Sequence, residues 1–304
     1  MIEKSYLTQK FAKLNFGQFS VVGYSVGGEE TVVQVPELNV CFDPGRCPQF
    51  ALTSDFMLVS HGHMDHVAGL GYYASQRFFQ GMKAGTVLLP RQIEPAVEGL
   101  MRAWQNLERQ ETPYTLAPMS PGQDYPIRRD LIARAVATHH GGPSVGYILI
   151  NVREKLRPEY TQLTGEQLAE LRKQGVEIQY KLEVPLVAYL GDTSFGDVFD
   201  NEQVMSAQVL LCECTFFDPM HRGKAKAGRH LHVEDFARVL AKSRNEHVVV
   251  LHVSRRTGIR RAKSILKKFA TPEQMAKVHF LMDFENSTSG GEIENTDEPA
   301  PGND

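Results

Sequence analysis

Three features of this 304-residue sequence predict a layered α/β fold. Short runs of β-branched and apolar residues alternate with helical stretches. Five of those runs end on a ligand-type residue: His61, His140, Asp192, Glu213 and His252. Strand ends in a layered α/β protein converge on one edge, where sites form, so five such ends point to a single site. The composition, 42% hydrophobic and 23% charged, is that of an ordinary water-soluble chain long enough to bury a large core.

Residues 14–43 read as β-structure, rich in β-branched and aromatic residues and broken at Gly27-Gly28 and Pro36. Asp43-Pro44-Gly45 is a turn signal. Phe56-Met57-Leu58-Val59 is a short apolar run, expected to be a buried strand, and residues 69–79 predict a helix. Residues 86–89 predict a strand, after which Pro90 is expected to open a helix running to about Asn106. Residues 131–138 and 147–150 predict two more strands. Residues 151–184 change character: Arg153, Lys155 and Arg157 precede a helix with a Thr164/Gln167 capping box, closed by Gly175. Strands are expected at 186–190, 209–212 and 247–251, and a helix at 232–243. A basic helix with Arg260, Arg261, Lys263, Lys267 and Lys268 follows. No internal repeat is visible.

No apolar stretch approaches the roughly 20 residues a membrane helix needs. Residues 1–6 hold no signal-peptide core, so the expectation is a cytoplasmic protein with no membrane partner. Cys41, Cys47, Cys212 and Cys214 make no C-x-x-C pair and read as reduced core thiols. The formal net charge of -3 does not advertise nucleic-acid binding, but it is uneven. From Glu285 onward there are six acids and no Lys or Arg; setting them aside leaves 30 acids against 33 bases. Residues 285–304 therefore read as a disordered acidic tail on a basic body of residues 1–284.

The stretch that carries chemistry is Ser60-His61-Gly62-His63-Met64-Asp65-His66, placed directly after a predicted buried strand. Gly62 permits a sharp turn at the strand end. His61 and His63, two apart in extended chain, project to the same side, and Asp65 and His66 can face a second point. Imidazole with carboxylate suits zinc, manganese or iron better than magnesium or calcium. One loop can thus serve two neighbouring metal ions.

Together these motifs resemble the metallo-β-lactamase fold superfamily, and within it the ribonuclease Z (tRNase Z) family in its short plant-type form. The resemblance runs from about Tyr24 to Leu281. It rests on Phe42-Asp43-Pro44-Gly45-Arg46-Cys47-Pro48, the SHGHMDH loop and His140-Gly-Gly-Pro-Ser-Val-Gly-Tyr147. It also rests on Gly191-Asp192-Thr193, Glu213-Cys-Thr-Phe, Gly228-Arg-His230-Leu-His232 and Leu251-His252-Val-Ser254-Arg255-Arg256. The resemblance implies a four-layer αββα sandwich and a zinc-dependent endoribonuclease acting on tRNA precursors. Carried over by position, it implies one Zn2+ on His61, His63 and His140, another on Asp65, His66 and His252, and Asp192 bridging both; Mn2+ or Fe2+ are alternatives. Two such ions about 3.5–4 Å apart can clamp a phosphate through an in-line displacement. Asp65 would accept the proton of the attacking water, and a Glu213–His230 pair would donate toward the leaving 3′ oxygen. Ser144, Ser254 and Arg256 become candidate substrate contacts, and residues 222–229 and 255–268 phosphate contacts. A homodimer is also implied.

Within this reading His140 rather than His139 is the ligand, because the Pro-Ser-x-Gly-Tyr spacing selects it. His139 is expected in the core or behind a ligand, His232 at a helix start, and His221 in a solvated loop with Arg222, Lys224 and Lys226. Two departures stand out. Residues 151–184 occupy the place of the family's tRNA-gripping arm without a long Gly/Pro-rich hairpin. Thr257 stands where the family usually has Tyr. The rival readings are a hydrolase of the same fold acting on a small phosphodiester or thioester, and a non-catalytic RNA- or protein-binding module.

Overall fold

The structure, a computed structural model, describes residues 10–284. The acidic tail expected from Glu285 lies outside the described residues. Seven strands lie in sequence order across the first sheet: β1 (Ala12–Asn15), β2 (Ser20–Gly27), β3 (Glu30–Val35), β4 (Val40–Pro44), β5 (Phe56–Leu58), β6 (Thr86–Pro90) and β7 (Thr115–Met119). The second sheet begins with β8 (Asp124–Arg128), β9 (Leu131–Ala137), β10 (Val145–Leu156) and β11 (Gln179–Tyr189). It continues with β12 (Val209–Glu213), β13 (His247–Leu251) and β15 (Val278–Phe280). A short strand, β14 (Val253–Ser254), leaves the second sheet and pairs with β2 of the first. Both sheets are antiparallel in their early strands and parallel in their later ones.

The sheets pack face to face, and helices cover both outer faces, giving the αββα sandwich. Alternation within single strands shows the layering. Val209 and Leu211 of β12 face the inter-sheet core, while Leu210 and Cys212 face the outer helices. Both faces of the central strands are buried, which is why they read as unbroken apolar runs. Helices α1 (Met64–Val67), α2 (Leu70–Phe79) and α3 (Glu94–Glu108) belong to the first half. In α2, Leu70, Tyr73, Ala74 and Arg77 share one face by their 3- and 4-residue spacing, and that face is buried. The second half carries α4 (Gly165–Lys173), α5 (Glu202–Ser206), α6 (Arg222–Gly228), α7 (Val233–Lys242), α8 (Ile259–Leu266) and α9 (Pro272–Ala276). Val233, Phe236, Val239 and Leu240 of α7 pack on the outer face of the second sheet.

Pro90 both ends β6 and, as expected, precedes a helical stretch: a 3₁₀ turn, Arg91–Ile93, runs directly into α3, which has Pro95 in its first turn, where a missing N–H costs nothing. Other expectations change. The basic stretch around residues 222–228 is a helix, not a loop, and His221 is half-buried against Phe216 rather than solvated. Residues 151–156 and 179–184 are strands: β10 and β11 run past the sheet as a two-stranded arm. Helix α4 caps that arm with the predicted Thr164/Gln167 box. One face of the β11 half is apolar and half-buried (Leu182, Val184), while the β10 half is mostly charged (Arg153, Glu154, Lys155).

Arg77 is the largest fully buried side chain. Its guanidinium donates to the carbonyls of Leu52 (2.5 Å) and Ser54 (3.0 Å) and pairs with Asp55 (2.5 Å), tying α2 to the loop before β5. Arg77→Ala takes the guanidinium donor from the Leu52 carbonyl, while the Ser54 carbonyl keeps the Tyr73 hydroxyl, and it leaves a cavity. Urea unfolding is expected to show a loss of about 2–4 kcal/mol. A loss below about 0.5 kcal/mol would show that water replaces the guanidinium at no cost.

Candidate metal centre and active site

The five strand ends meet at one edge of the sandwich. The loop after β5 supplies His61, His63, Asp65 and His66; β9 leads to His140, β11 to Asp192, β12 ends on Glu213, and β13 leads to His252. Two ligand groups form. Nitrogen and oxygen atoms of His61, His63, His140 and Asp192 lie within 4.8 Å of one another, as do those of Asp65, His66 and His252. Asp192 lies between the groups. Its Oδ2 is 3.7 Å from His61 Nε2, 3.9 Å from His140 Nε2, and 3.4 Å from both His66 Nε2 and His252 Nε2. Asp65 Oδ2 is 3.5 Å from His252 Nε2 and 3.8 Å from His66 Nε2.

Backbone strain aims these groups. His252 is the residue at which the chain crosses from β13 in one sheet to β14 in the other, and it does so at φ 57°. That left-handed conformation is costly for a residue with a Cβ and is concentrated at functional sites. Gly191 (φ 57°) passes so close to Ser60 that a Cβ there would lie 2.5 Å from Ser60 Cβ. Only glycine lets Asp192 reach the centre from β11.

Hydrogen bonds fix the tautomers. Ser60 Oγ donates its one proton to Asp43 Oδ2 (2.7 Å), so toward His61 Nδ1 (2.9 Å) it can only accept. Thr215 Oγ1 donates to Glu213 Oε2 (2.6 Å), so it accepts from His252 Nδ1 (2.9 Å). His66 Nδ1 donates to Asp43 (2.7 Å) and His140 Nδ1 to the Arg229 carbonyl (3.3 Å). All four imidazoles therefore carry a proton on Nδ1 and turn Nε2 inward. The Nε2 atoms of His61, His66 and His252 are buried with no hydrogen-bond partner among the described residues. His63, more exposed, brings Nδ1 to 3.1 Å from His140 Nε2.

Charge makes the same point for His61 and His140 and differs at His66. Burial, with His66 beside it, pushes the His61 pKa down to about 2, so His61 is neutral. Its 3.7 Å approach to Asp192 then joins two electron-rich atoms, not an ion pair. Burial also lowers His140. Burial opposes ionisation of Asp192, but the neighbouring His252 and His66 outweigh it and hold the carboxyl well below its usual range. His66 is also buried, yet Asp192 and Asp43 raise its pKa well above normal, so its Nε2 offers a lone pair only where a cation displaces the proton that Asp192 favours. Converging lone pairs around an ionised carboxylate are the donor set of a divalent cation, and imidazole with carboxylate is its chemistry.

Glu213 and His230 form a separate unit. Glu213 is buried and accepts from the Thr193 N–H (2.9 Å), the Thr215 N–H and hydroxyl (3.2 and 2.6 Å), the Leu231 N–H (3.2 Å) and His230 Nδ1 (2.9 Å). Burial lowers the His230 pKa, but the charges of Glu213 and Asp192 outweigh it and bring it up to about 9. His230 Nδ1 also lies 3.9 Å from Asp192, so Asp192, His230 and His252 make a third cluster with ligand-type atoms. The short bond to Glu213 already uses that nitrogen.

The other candidates are placed as follows. Ser144 lies beside His61, its hydroxyl accepting from Thr138 (2.8 Å). Ser254 is buried with Oγ 3.4 Å from the Arg256 N–H, while Arg256 is exposed. His232 caps α7, with Nδ1 accepting from the Glu234 N–H (3.4 Å). His139 is neither in the core nor behind a ligand; its backbone binds Thr193 and Ser194 and its ring is exposed. Sequence reasoning missed Asp43, Thr215 and Arg229. Asp43 read as a turn residue, and Thr215 and Arg229 stood inside motifs without a role.

This fold and donor set define a metal-dependent hydrolase of the beta-lactamase superfamily, and the family model described as "Beta-lactamase superfamily domain" matches residues 32–253. Within that superfamily the chain belongs to the tRNase Z family. It is 33% identical to tRNase Z TRZ1 of Arabidopsis thaliana over 84% of this chain and 92% of that protein. It is 34% identical to the chloroplastic tRNase Z TRZ2 of the same plant, over 82% of this chain and 72% of that protein. The crystal structure of human tRNase Z, short form, has the same fold, with TM-score 0.52, 17% identity, and 81% of this chain and 93% of that one covered.

Asp43→Asn tests the orienting network. An amide cannot accept from the Ser60 N–H, the Ser60 hydroxyl, His66 and Tyr189 together. Metal affinity is expected to fall about 10–100-fold in competition with a chromophoric chelator, with circular dichroism unchanged. Unchanged affinity would mean that His66 and His61 are held by packing alone.

Proposed function

We propose that this protein is a metal-dependent endoribonuclease that removes the 3′ trailer from tRNA precursors and leaves a tRNA 3′-hydroxyl. The observation that carries the reading is the Glu213–His230 pair at the edge of the two ligand groups, 2.9 Å apart. A general acid so placed suits an alkoxide leaving group better than a thioester. Identity to tRNase Z TRZ1 along most of the chain supports the same substrate.

The reading assigns two zinc ions per chain, one to His61, His63 and His140, the other to Asp65, His66 and His252, with Asp192 shared. Bound there, the ions would polarise the phosphodiester and make the attacking water more acidic. The chain's own groups do the rest. Asp65 is only partly buried; burial opposes its ionisation, but His252 and His66 hold it below the usual carboxylate range. It stays ionised to orient the water and take its proton. Glu213 keeps the His230 imidazole charged, and His230 gives its proton to the 3′ oxygen as the P–O3′ bond breaks. Ser144, Ser254 and Arg256 are the contacts for phosphates near the cut.

Exposed bases of α6 and of residues 255–268 extend the contact to more distant phosphates, so binding falls with salt. The β10–β11 arm with α4 takes the place of the gripping arm, and a homodimer would let one subunit hold tRNA for the other. Four buried free cysteines support a reducing compartment such as the cytoplasm.

Purified, zinc-loaded protein should cut a tRNA precursor to a product ending in a 3′-hydroxyl. His230→Ala should keep its metal, fold and precursor affinity but lose about 10²–10⁴-fold in single-turnover cleavage. Glu213→Gln should fall in the same range, and the double variant should be little worse, since the two act as one unit. Metal loss in His230→Ala would make His230 a ligand. Turnover of bis-p-nitrophenyl phosphate with no cut in any precursor would move the chain to a small-phosphodiester activity.

A further inference from the structure

Next to the ligand groups a cavity of about 740 Å³ opens between α6, α7 and the turn at Ser194-Phe195. His230 forms part of its wall, so the cavity borders the reacting centre. Its volume falls within the range of small-molecule and nucleotide pockets. Four cations line it, Arg222, Lys226, Arg229 and Arg238, against one acid, Asp235. An anionic ligand fits this balance.

The cations differ in how committed they are. Arg222 pairs with Glu234, and Arg229 donates to the His140 carbonyl at 2.8 Å. Lys226 is exposed and has no acidic partner among the described residues. Arg238 is layered on an aromatic stack. Its guanidinium carbon lies 3.9 Å from the Phe195 ring centre, and Phe195 stacks on Phe199 at 5.4 Å and 15°. Asp235, 3.2 Å away, bonds one edge of the guanidinium, and the side chain is 62% exposed. The result is a flat, cationic surface with support on one side only. Such a face stacks on nucleobases of any identity.

Position decides which nucleotide. Under the function proposed above, on which this step rests, His230 protonates the leaving 3′ oxygen. The nucleotide that owns that oxygen is the last one kept in the product, and it must lie on the His230 side. We propose that this cavity is the subsite for that last retained nucleotide, its base stacked on Arg238 and its 5′-side phosphate at Lys226. Phe195, Arg238 and Lys226 are then binding residues for the substrate end, separate from the metal ligands.

The test is binding of a 5′-fluorescein-labelled RNA trinucleotide with a free 3′-hydroxyl, and of the same trinucleotide with an abasic last position, to the metal-loaded protein. Arg238→Ala and Lys226→Ala change exposed side chains and leave the fold in place. Loss of one base stack corresponds to about 5–150-fold in affinity. Wild type should prefer the intact trinucleotide by that factor, and Arg238→Ala should abolish the preference. Lys226→Ala should weaken both trinucleotides alike and flatten the salt dependence by about 0.7 in log–log slope. Equal loss for intact and abasic RNA in Arg238→Ala, or no loss, overturns the proposal. So does a preference seen only with a 5′-phosphorylated trinucleotide that mimics the trailer. Precursor cleavage by wild type is scored separately. Cleavage without base preference sinks the subsite alone, and base preference without cleavage sinks the endonuclease reading alone.

Discussion

One buried carboxylate sets the terms for half the site. Asp43 is sealed from solvent and collects the Ser60 N–H, the Ser60 hydroxyl, His66 Nδ1 and the Tyr189 hydroxyl. Tyr189 comes from the second sheet and the others from the first, so one anion pins both sheets at the place where the ligands meet. Its proton demand passes outward: because Ser60 must donate to it, His61 must donate to Ser60. Glu213 does the same in the other half, acting on His230 directly and on His252 through Thr215. Two anions thereby dictate the proton positions of four imidazoles, without any of the four touching another's proton.

These arrangements cost backbone strain, and the strain is local. His252 and Asp43 both take left-handed φ values, 57° and 49°. Each would cost about 1–2 kcal/mol in isolation. The surroundings over-determine both. His252 has its N–H held by Ser25 Oγ at 2.9 Å and its ring by Thr215, while the Asp43 side chain has four donors. A chain that needed only a stable sandwich would place ordinary residues at these turns.

Much of this could be read in the sequence, for physical reasons that differ from element to element. Central strands such as β12 and β13 are buried on both faces and are spelled as continuous Val and Leu, so their ends, and the ligands on those ends, were easy to place. The His61–His66 loop is dense enough in ligand types to signal a metal by itself. What was hidden acts through geometry rather than composition. Asp43 lies in Asp-Pro-Gly, which reads as a turn whether or not its carboxylate is buried. Thr215 orients His252 across 37 positions of sequence, a distance no local pattern spans. The outer part of β11 does alternate, Gln179, Lys181 and Glu183 against Tyr180, Leu182 and Val184, a period of two that sequence reasoning missed, whereas in β10 Glu154 between Val152 and Leu156 breaks the pattern. Pro90 serves two elements at once, closing β6 and standing before the helical turn that leads into α3.

The two halves of the sandwich contribute unequal shares to the metal centre. The first sheet sends one loop with His61, His63, Asp65 and His66, and the second sends His140, Asp192 and His252 from three separate strands. An ion held between them is a cross-link joining sequence positions far apart, closing loops that the unfolded chain leaves open. Because the unfolded chain has no converged ligands, the ion's binding adds to folding stability as RT ln(1 + [L]/Kd), about 2.7 kcal/mol at a free concentration 100 times Kd. That is a sizeable part of the 5–15 kcal/mol typical of a folded domain. A chain without its ion would then be not only idle but also less stable, and so more open to proteolysis.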